Sequence, residues 1–242
     1  MRSNIGIYGH RGFSGCYPEN TMIAFEEAES IGVDGIELDV QMTKDGELVV
    51  IHDEKVDRTT NGAGYVKDFY YNQIRLLDAG SWFDPKFSNQ IIPSLSEVLA
   101  WVKGLDRKLT VNIELKTDRI DYINIEKKVL SKVYEYQLND QVIISSFNQN
   151  SLKRVRELDP FIQTALLFIG VPANVLEEAR ILRVNGIHCE AQFALSIEGQ
   201  KMRENGYPLR VYTVNDPSYV NALKKARVSI IMTDFPNRFL SL

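Results

Sequence analysis

Two carboxylates two residues apart are the first sign of chemistry in this chain. In Gly35-Ile36-Glu37-Leu38-Asp39-Val40 an extended backbone sends Glu37 and Asp39 to one face and Ile36, Leu38 and Val40 to the other. Adjacent carboxylates removed from water repel one another and lose hydration, so they need a cation, or one must stay protonated. Read as surface acids on an exposed edge, the segment would leave its three apolar residues unaccounted for. Val111-Asn112-Ile113-Glu114-Leu115-Lys116 alternates in the same way, with Asn112, Glu114 and Lys116 sharing a face. Glu114 is therefore a third candidate carboxylate, with Lys116 just beyond it. Three such oxygen donors suit one hard divalent cation, Mg²⁺ or Ca²⁺. Zinc fits less well, although His10 or His52 could be recruited to it.

Gly9-His10-Arg11-Gly12 and Val49-Val50-Ile51-His52-Asp53 add two histidines and an arginine. Taken singly, His10 reads as a hydrogen-bonded loop residue and His52 as a satisfied structural one. Beside a divalent ion their roles change. Arg11 and Lys116 are cations suited to a phosphate group, and two histidines supply a base and an acid near neutral pH. The set points to cleavage of a phosphoryl ester. The sequence has no Gly-x-x-x-x-Gly-Lys loop, which disfavours nucleotide hydrolysis of that type. His188 is expected to be structural or to sit on the substrate rim. Tyr207, Tyr212 and Trp82 could line a pocket or simply pack.

Something must bring these segments together. Short β-branched runs alternate with amphipathic stretches, which argues for parallel βα units. Expected strands are Ile5–Tyr8, Gly35–Val40, Glu47–His52, Thr110–Leu115, Val142–Ser145, Thr164–Phe168, Gly186–Cys189, Leu209–Val214 and Ser229–Thr233. Ser94 and Glu97 form a capping box ahead of Leu95, Val98, Leu99 and Val102. Asp216-Pro217 is an N-cap and first-turn pair, and Asn20 is the expected N-cap of a helix carrying Met22, Phe25, Ala28 and Ile31. Eight of the nine strands would close a (β/α)8 barrel. The odd one is found by connection length: Val40 and Leu48 are too close in sequence for a parallel crossover. Asp45-Gly46 is a hairpin turn, so Glu47–His52 runs back antiparallel and returns His52 to about the level of Leu38 and Asp39. Barrel active sites lie at the C-terminal strand ends, where all these polar residues fall. Residues 53–93 break the alternation and read as a small capping insertion after the second barrel strand, within one domain spanning 1–242.

The bulk properties set limits. A chain of 242 residues with 44% hydrophobic content can bury a large core. A net charge of −4 argues against a nucleic-acid partner. The N-terminal residues show no signal-peptide pattern and no window resembles a membrane span. Cys16 and Cys189 are expected to be reduced thiols. A cytoplasmic protein without a membrane anchor is expected.

Taken in order, the motifs resemble the glycerophosphodiester phosphodiesterase family, especially its short bacterial members. They are His10-Arg11-Gly12, Pro18-Glu19-Asn20-Thr21, Glu37-Leu38-Asp39-Val40, Asp45-Gly46, His52-Asp53 and Arg58-Thr59-Thr60-Asn61-Gly62. They continue with Ile92-Pro93-Ser94-Leu95, Asn112-Ile113-Glu114-Leu115-Lys116, Ser145-Ser146-Phe147, Tyr212-Thr213-Val214-Asn215 and Thr233-Asp234-Phe235-Pro236. Tyr212 stands where many members carry Trp. The resemblance implies metal ligands at Glu37, Asp39 and Glu114, an acid/base pair of His10 and His52, and phosphate contacts from Arg11 and Lys116. It also implies metal-dependent hydrolysis of a small glycerophosphodiester to glycerol 3-phosphate and an alcohol, through a cyclic phosphate. Family analogy makes His10 the first base, an order the sequence alone does not fix. The rivals are a lysophospholipase D-like or sphingomyelinase D-like enzyme on the same site, and an inactive phosphodiester-binding barrel.

Overall fold

The computed structural model describes residues 5–240. Part of the N-terminal segment read for a signal peptide, residues 1–4, lies outside them, as do the last two residues of the expected domain.

The strands run in sequence as β1 (Gly6–Gly9), β2 (Gly35–Met42), β3 (Leu48–Val50), β4 (Thr110–Leu115), β5 (Val142–Ser146), β6 (Gln163–Leu167), β7 (Gly186–Cys189), β8 (Leu209–Val211) and β9 (Ile230–Thr233). All but β3 are parallel, and β9 pairs with β1 to close an eight-stranded barrel. The longer intervening helices are α1 (Met22–Ser30), α3 (Leu95–Lys103), α4 (Ile125–Glu135), α5 (Gln149–Leu158), α6 (Val175–Leu182) and α8 (Ile197–Glu204). The shorter ones are α2 (Tyr71–Ile74), α7 (Ala191–Ala194) and α9 (Val220–Lys225). This is the expected (β/α)8 architecture. Strand parity sorts the side chains as expected: Ile36, Leu38, Val40, Val111, Ile113 and Leu115 join the core between sheet and helices. Their neighbours Glu37, Asp39, Asn112 and Glu114 take the other face.

β3 pairs antiparallel with β2, with Val40 opposite Val50, and Ile51 N–H donates to Asp39 C=O at 3.0 Å. The hairpin therefore returns His52 alongside the acidic strand, as the connection length required. The strand stops at Val50 rather than His52, and the two residues beyond it turn toward the insertion. β8 is also shorter than the expected Leu209–Val214. Tyr212 and Val214 still donate to Cys189 and Met232 backbone oxygens at 3.0 Å each, but the regular ladder ends at Val211.

The Ser94 capping box forms: Glu97 N–H donates to Ser94 Oγ at 3.2 Å and Ser94 N–H to a Glu97 carboxylate oxygen at 2.7 Å. Leu95, Val98, Leu99 and Val102 are buried behind it. Asp216 accepts from Ser218 N–H at 2.9 Å and starts a 3₁₀ turn that leads into α9. Asn20 is not the cap of α1. That position is Thr21, which makes no side-chain cap bond. Asn20 instead adopts φ 57° and turns both amide atoms to Asp39, at 2.9 and 3.4 Å. Its polar group serves the acidic strand, so it cannot also serve the helix.

Between β3 and α3 the chain builds a small core of its own from Val49, Ile51, Val56, Val66, Ile74, Ala79 and Ile92. Val49 and Ile51 come from the back of the hairpin, so this core anchors the segment that carries His52. Among the described residues no helix is long and apolar enough to cross a membrane.

Candidate active site

Glu37, Asp39 and Glu114 converge. One carboxylate oxygen of each lies within 4.8 Å of the other two, and all three residues are buried. The register explains this, because Asp39 stands opposite Glu114 across the β2–β4 ladder. Burial and then the charges of Asp39 and Glu114 push the Glu37 carboxyl well above its usual range. Glu114 is raised by burial and by Asp39. Burial acts on Asp39 too, but Arg11, His52 and Lys116 outweigh it and hold its carboxyl low. Glu37 Oε1 is buried with no hydrogen-bond partner among the described residues. Three buried oxygen donors that destabilise one another, one of them orphaned, fit a divalent cation in their midst.

The loop after β1 wraps this cluster. Arg11 sits at φ 53°, in the left-handed region that non-glycine residues rarely enter, and Gly12 follows at φ 82°. A Cβ at Gly12 would meet the Ala24 backbone at 2.7 Å, so only glycine fits. The turn aims Arg11 N–H at Glu37 Oε2, 2.9 Å away, and brings the guanidinium Nε to 3.3 Å from Asp39. Lys116 lies across the cluster. Its Nζ is 2.8 Å from Glu114 Oε1 and 3.3 Å from His52 Nε2.

Each histidine has a carboxylate behind it. His10 Nδ1 is 2.7 Å from Asp234 Oδ1, and His52 Nδ1 is 2.6 Å from Asp53 Oδ1. With Nδ1 so engaged, the Nε2 atoms turn toward the cluster, that of His52 beside the Lys116 ammonium. His10 Nε2 faces Glu37 at 3.9 Å. The two rings thus approach the acidic cluster from the β1 side and the β3 side. Burial pushes the Asp234 carboxyl up, but the hydrogen bond and charge of His10 with bonds from Asn215 and Ser14 bring it down to about 2. A cleft of about 650 Å³ opens beside His52, lined by His52, Asp53, Arg58, Tyr65, Lys116 and Arg119 among others.

All seven site residues expected from sequence fall in this one region. Asp234 and Asp53 lie at motif positions that carry no assigned role in the sequence, and the structure puts each behind a histidine. The position of Asp234 just past the end of the last strand was the available signal. His188 is a core residue and not part of any rim. It is fully buried inside the barrel, with Nε2 3.5 Å from Arg210 Nη1, and burial holds its pKa well below the usual value. Trp82 packs against Phe83 and donates to Ala79 C=O at 2.9 Å. Tyr212 meets Phe147 edge-on, and Phe147 in turn lies under Lys116.

Comparison with known proteins gives the same picture. The family model of the glycerophosphoryl diester phosphodiesterase family matches residues 10–238. A protein named glycerophosphodiester phosphodiesterase from Caldanaerobacter subterraneus subsp. tengcongensis is 42% identical over 241 residues, covering 98% of this chain and 96% of its own. A crystal structure of glycerophosphodiester phosphodiesterase from Agrobacterium tumefaciens superposes with a TM-score of 0.85 at 29% identity, covering 98% of this chain and all of its own. A phosphodiesterase from Oleispira antarctica, solved with the product sn-glycerol-3-phosphate, gives a TM-score of 0.84 at 27% identity, over 98% and 95% of the two chains. With a barrel, a triad of buried acids and two carboxylate-backed histidines already in place, a match across nearly the whole chain leaves one assignment: this protein belongs to the glycerophosphoryl diester phosphodiesterase family.

Proposed function

We propose that the protein hydrolyses glycerophosphodiesters to glycerol 3-phosphate and an alcohol, working as one domain. The observation that carries this reading is the buried Glu37–Asp39–Glu114 cluster, with His10 Nε2 facing Glu37 and His52 Nε2 beside the Lys116 ammonium that holds Glu114. Those three carboxylates would hold one Mg²⁺ or Ca²⁺, which when bound supplies Lewis-acid neutralisation of phosphate charge and makes a nearby hydroxyl more acidic.

The side chains supply the rest. Arg11 and Lys116 bind the phosphoryl oxygens and offset the charge that builds up as phosphorus is attacked. His10 Nε2 takes the proton of the glycerol hydroxyl next to the ester as its oxygen forms a bond to phosphorus. His52 Nε2 gives a proton to the departing alcohol oxygen as the ester bond breaks. The cyclic phosphate that remains is opened by water with the roles reversed: His52 removes the water proton and His10 returns one to the glycerol oxygen. Asp234 and Asp53 hold the rings and stabilise each imidazolium while it lasts.

The cleft beside His52 favours a polar headgroup. Asp53, Glu54, Lys55, Asp57, Arg58, Asp118 and Arg119 line it beside Tyr65 and Ile120, so a polar or charged headgroup would find partners there. The reading is tested by assaying glycerol 3-phosphate release from several deacylated diesters and from a lysophospholipid, with Mg²⁺, with Ca²⁺ and with chelator. Metal-dependent release from the deacylated diesters is expected. Activity indifferent to chelator, or confined to the lysophospholipid, would overturn it.

A further inference from the structure

Glu19 and Arg58 take no part in the reaction as described, yet they tie the two sides of the site together. Glu19 lies in the loop after β1 and Arg58 in the insertion after β3. Glu19 Oε1 accepts from Arg11 Nη1 at 2.8 Å. Arg58 donates Nη1 and Nη2 to the two Glu19 oxygens at 2.8 and 2.7 Å. The same guanidinium turns Nε and Nη2 to the two oxygens of Asp53 at 2.7 and 3.2 Å. Asp53 in turn holds His52 Nδ1. Charge alternates along the whole path from the phosphate-binding Arg11 to the His52 imidazole.

The geometry is specific. A planar guanidinium forked onto two carboxylates fixes the plane and the spacing of both, which a flexible ammonium could not do. A lone surface ion pair would contribute little. Here Glu19 is shared by two arginines and its side chain is only 12% exposed, so the pairs form a network rather than a lone surface pair. Among the described residues no backbone ladder joins the loop after β1 to Asp53. This chain of ion pairs takes its place.

We propose that Arg58, with Glu19, is a positioning clamp for the reaction: it fixes Asp53, and through it the His52 ring, relative to Arg11. The proposal rests on the reading of His52 as the acid for the departing alcohol. A competing role is that Arg58 merely fastens the insertion to the barrel.

The two roles separate by leaving group. Rates are measured for wild type, Arg58→Gln, Arg58→Lys, Asp53→Asn and His52→Ala on glycerophosphoethanolamine and on the p-nitrophenyl phosphodiester of glycerol, whose leaving group needs no proton. For a positioning clamp, Arg58→Gln lowers kcat on the ethanolamine diester by about tenfold to a hundredfold, as loss of an outer partner does elsewhere. The first, nitrophenol-releasing step on the nitrophenyl ester loses much less. Arg58→Lys, which keeps the charge without the fork, falls in between. Asp53→Asn follows Arg58→Gln, and adding Arg58→Gln to His52→Ala brings no further loss. Equal losses on both substrates, or an undiminished ethanolamine rate, would overturn the clamp. Should Arg58→Gln not fold, Asp53→Asn and Arg58→Lys decide by the same comparison. His52→Ala separates the two layers of the argument. If it recovers on the nitrophenyl ester while the clamp variants lose both rates equally, only the clamp falls. If it does not recover, the acid role of His52 falls and the clamp with it.

Discussion

The carboxylate behind His10 comes from the far end of the chain, and the one behind His52 from the next residue. Asp234 follows β9 and is held by Ser14 and Asn215 at 2.9 and 2.6 Å, both neutral donors, in the loops after β1 and β8. Asp53 follows β3 and is held by Arg58, a cation whose side chain is 44% exposed. One histidine is therefore set by closure of the barrel, the other by an ion pair reaching across from a loop. The same local motif, a ring nitrogen on a carboxylate, rests on rigid packing on one side and on adjustable electrostatics on the other. The adjustable side also borders the cleft that would receive the variable alcohol.

The sharpest way to break this comparison is to remove each ring. His10→Ala and His52→Ala should each lower turnover of an alkyl diester by about 10²–10⁴-fold. Only His52→Ala should recover with a nitrophenol leaving group, and only in the nitrophenol-releasing step, since the later water step still needs His52. Equal behaviour on both substrates would erase the distinction between base and acid. Arg11→Ala or Lys116→Ala should follow, with losses of about 10²–10³-fold in kcat if each stabilises the phosphoryl charge. Circular dichroism should show an unchanged fold, and an unfolded variant would make the residue structural instead.

A smaller effect concerns stability. The folded-state value of Asp234 is below its ordinary value of 3.8, at about 2. Its ionised form is thus favoured by folding. The contribution is complete above about pH 4 and is lost as pH falls through 4 toward 2. The difference in Tm between wild type and Asp234→Asn should shrink over that window. A difference constant from pH 5 to 2 would count against the Asp234–His10 link. The smallest expected effect is that of salt. Raising NaCl screens the exposed Arg58 pairs, which are worth at most about 1 kcal/mol each, and should lower the ethanolamine rate relative to the nitrophenyl rate severalfold or less. An unchanged ratio would place both sides of the site on equally rigid supports.

Much of this was legible in the sequence wherever a short-range rule applied. The parity of Glu37 with Asp39 and of Glu114 with Lys116 gave their common face, and the short link from Val40 to Leu48 gave the hairpin and so the place of His52. Long-range partners were not legible. His10 and Asp234 are 224 residues apart, and nothing local marks one as the other's support. Asn20 misled for a related reason: an Asn before an amphipathic run suits an N-cap, but a buried carboxylate on β2 competed for the same amide. Arg58 sat inside a recognisable motif, yet its two partners lie on different loops, so its role depends on tertiary packing. The interior of the insertion followed no simple period, because its core is assembled from scattered residues such as Val56, Val66 and Ile74.

The pairing of β1 with β9 has a consequence for synthesis. A ribosome delivers His10 224 residues before Asp234. His10, the proposed base, cannot acquire its carboxylate until β9 has emerged and docked beside β1. Nascent and prematurely terminated chains would carry both histidines and all three candidate ligands and still lack an oriented His10. Hydrolytic competence thus arrives as a late event, coincident with completion of the barrel, and a fragment ending before β9 should bind metal weakly and turn over nothing.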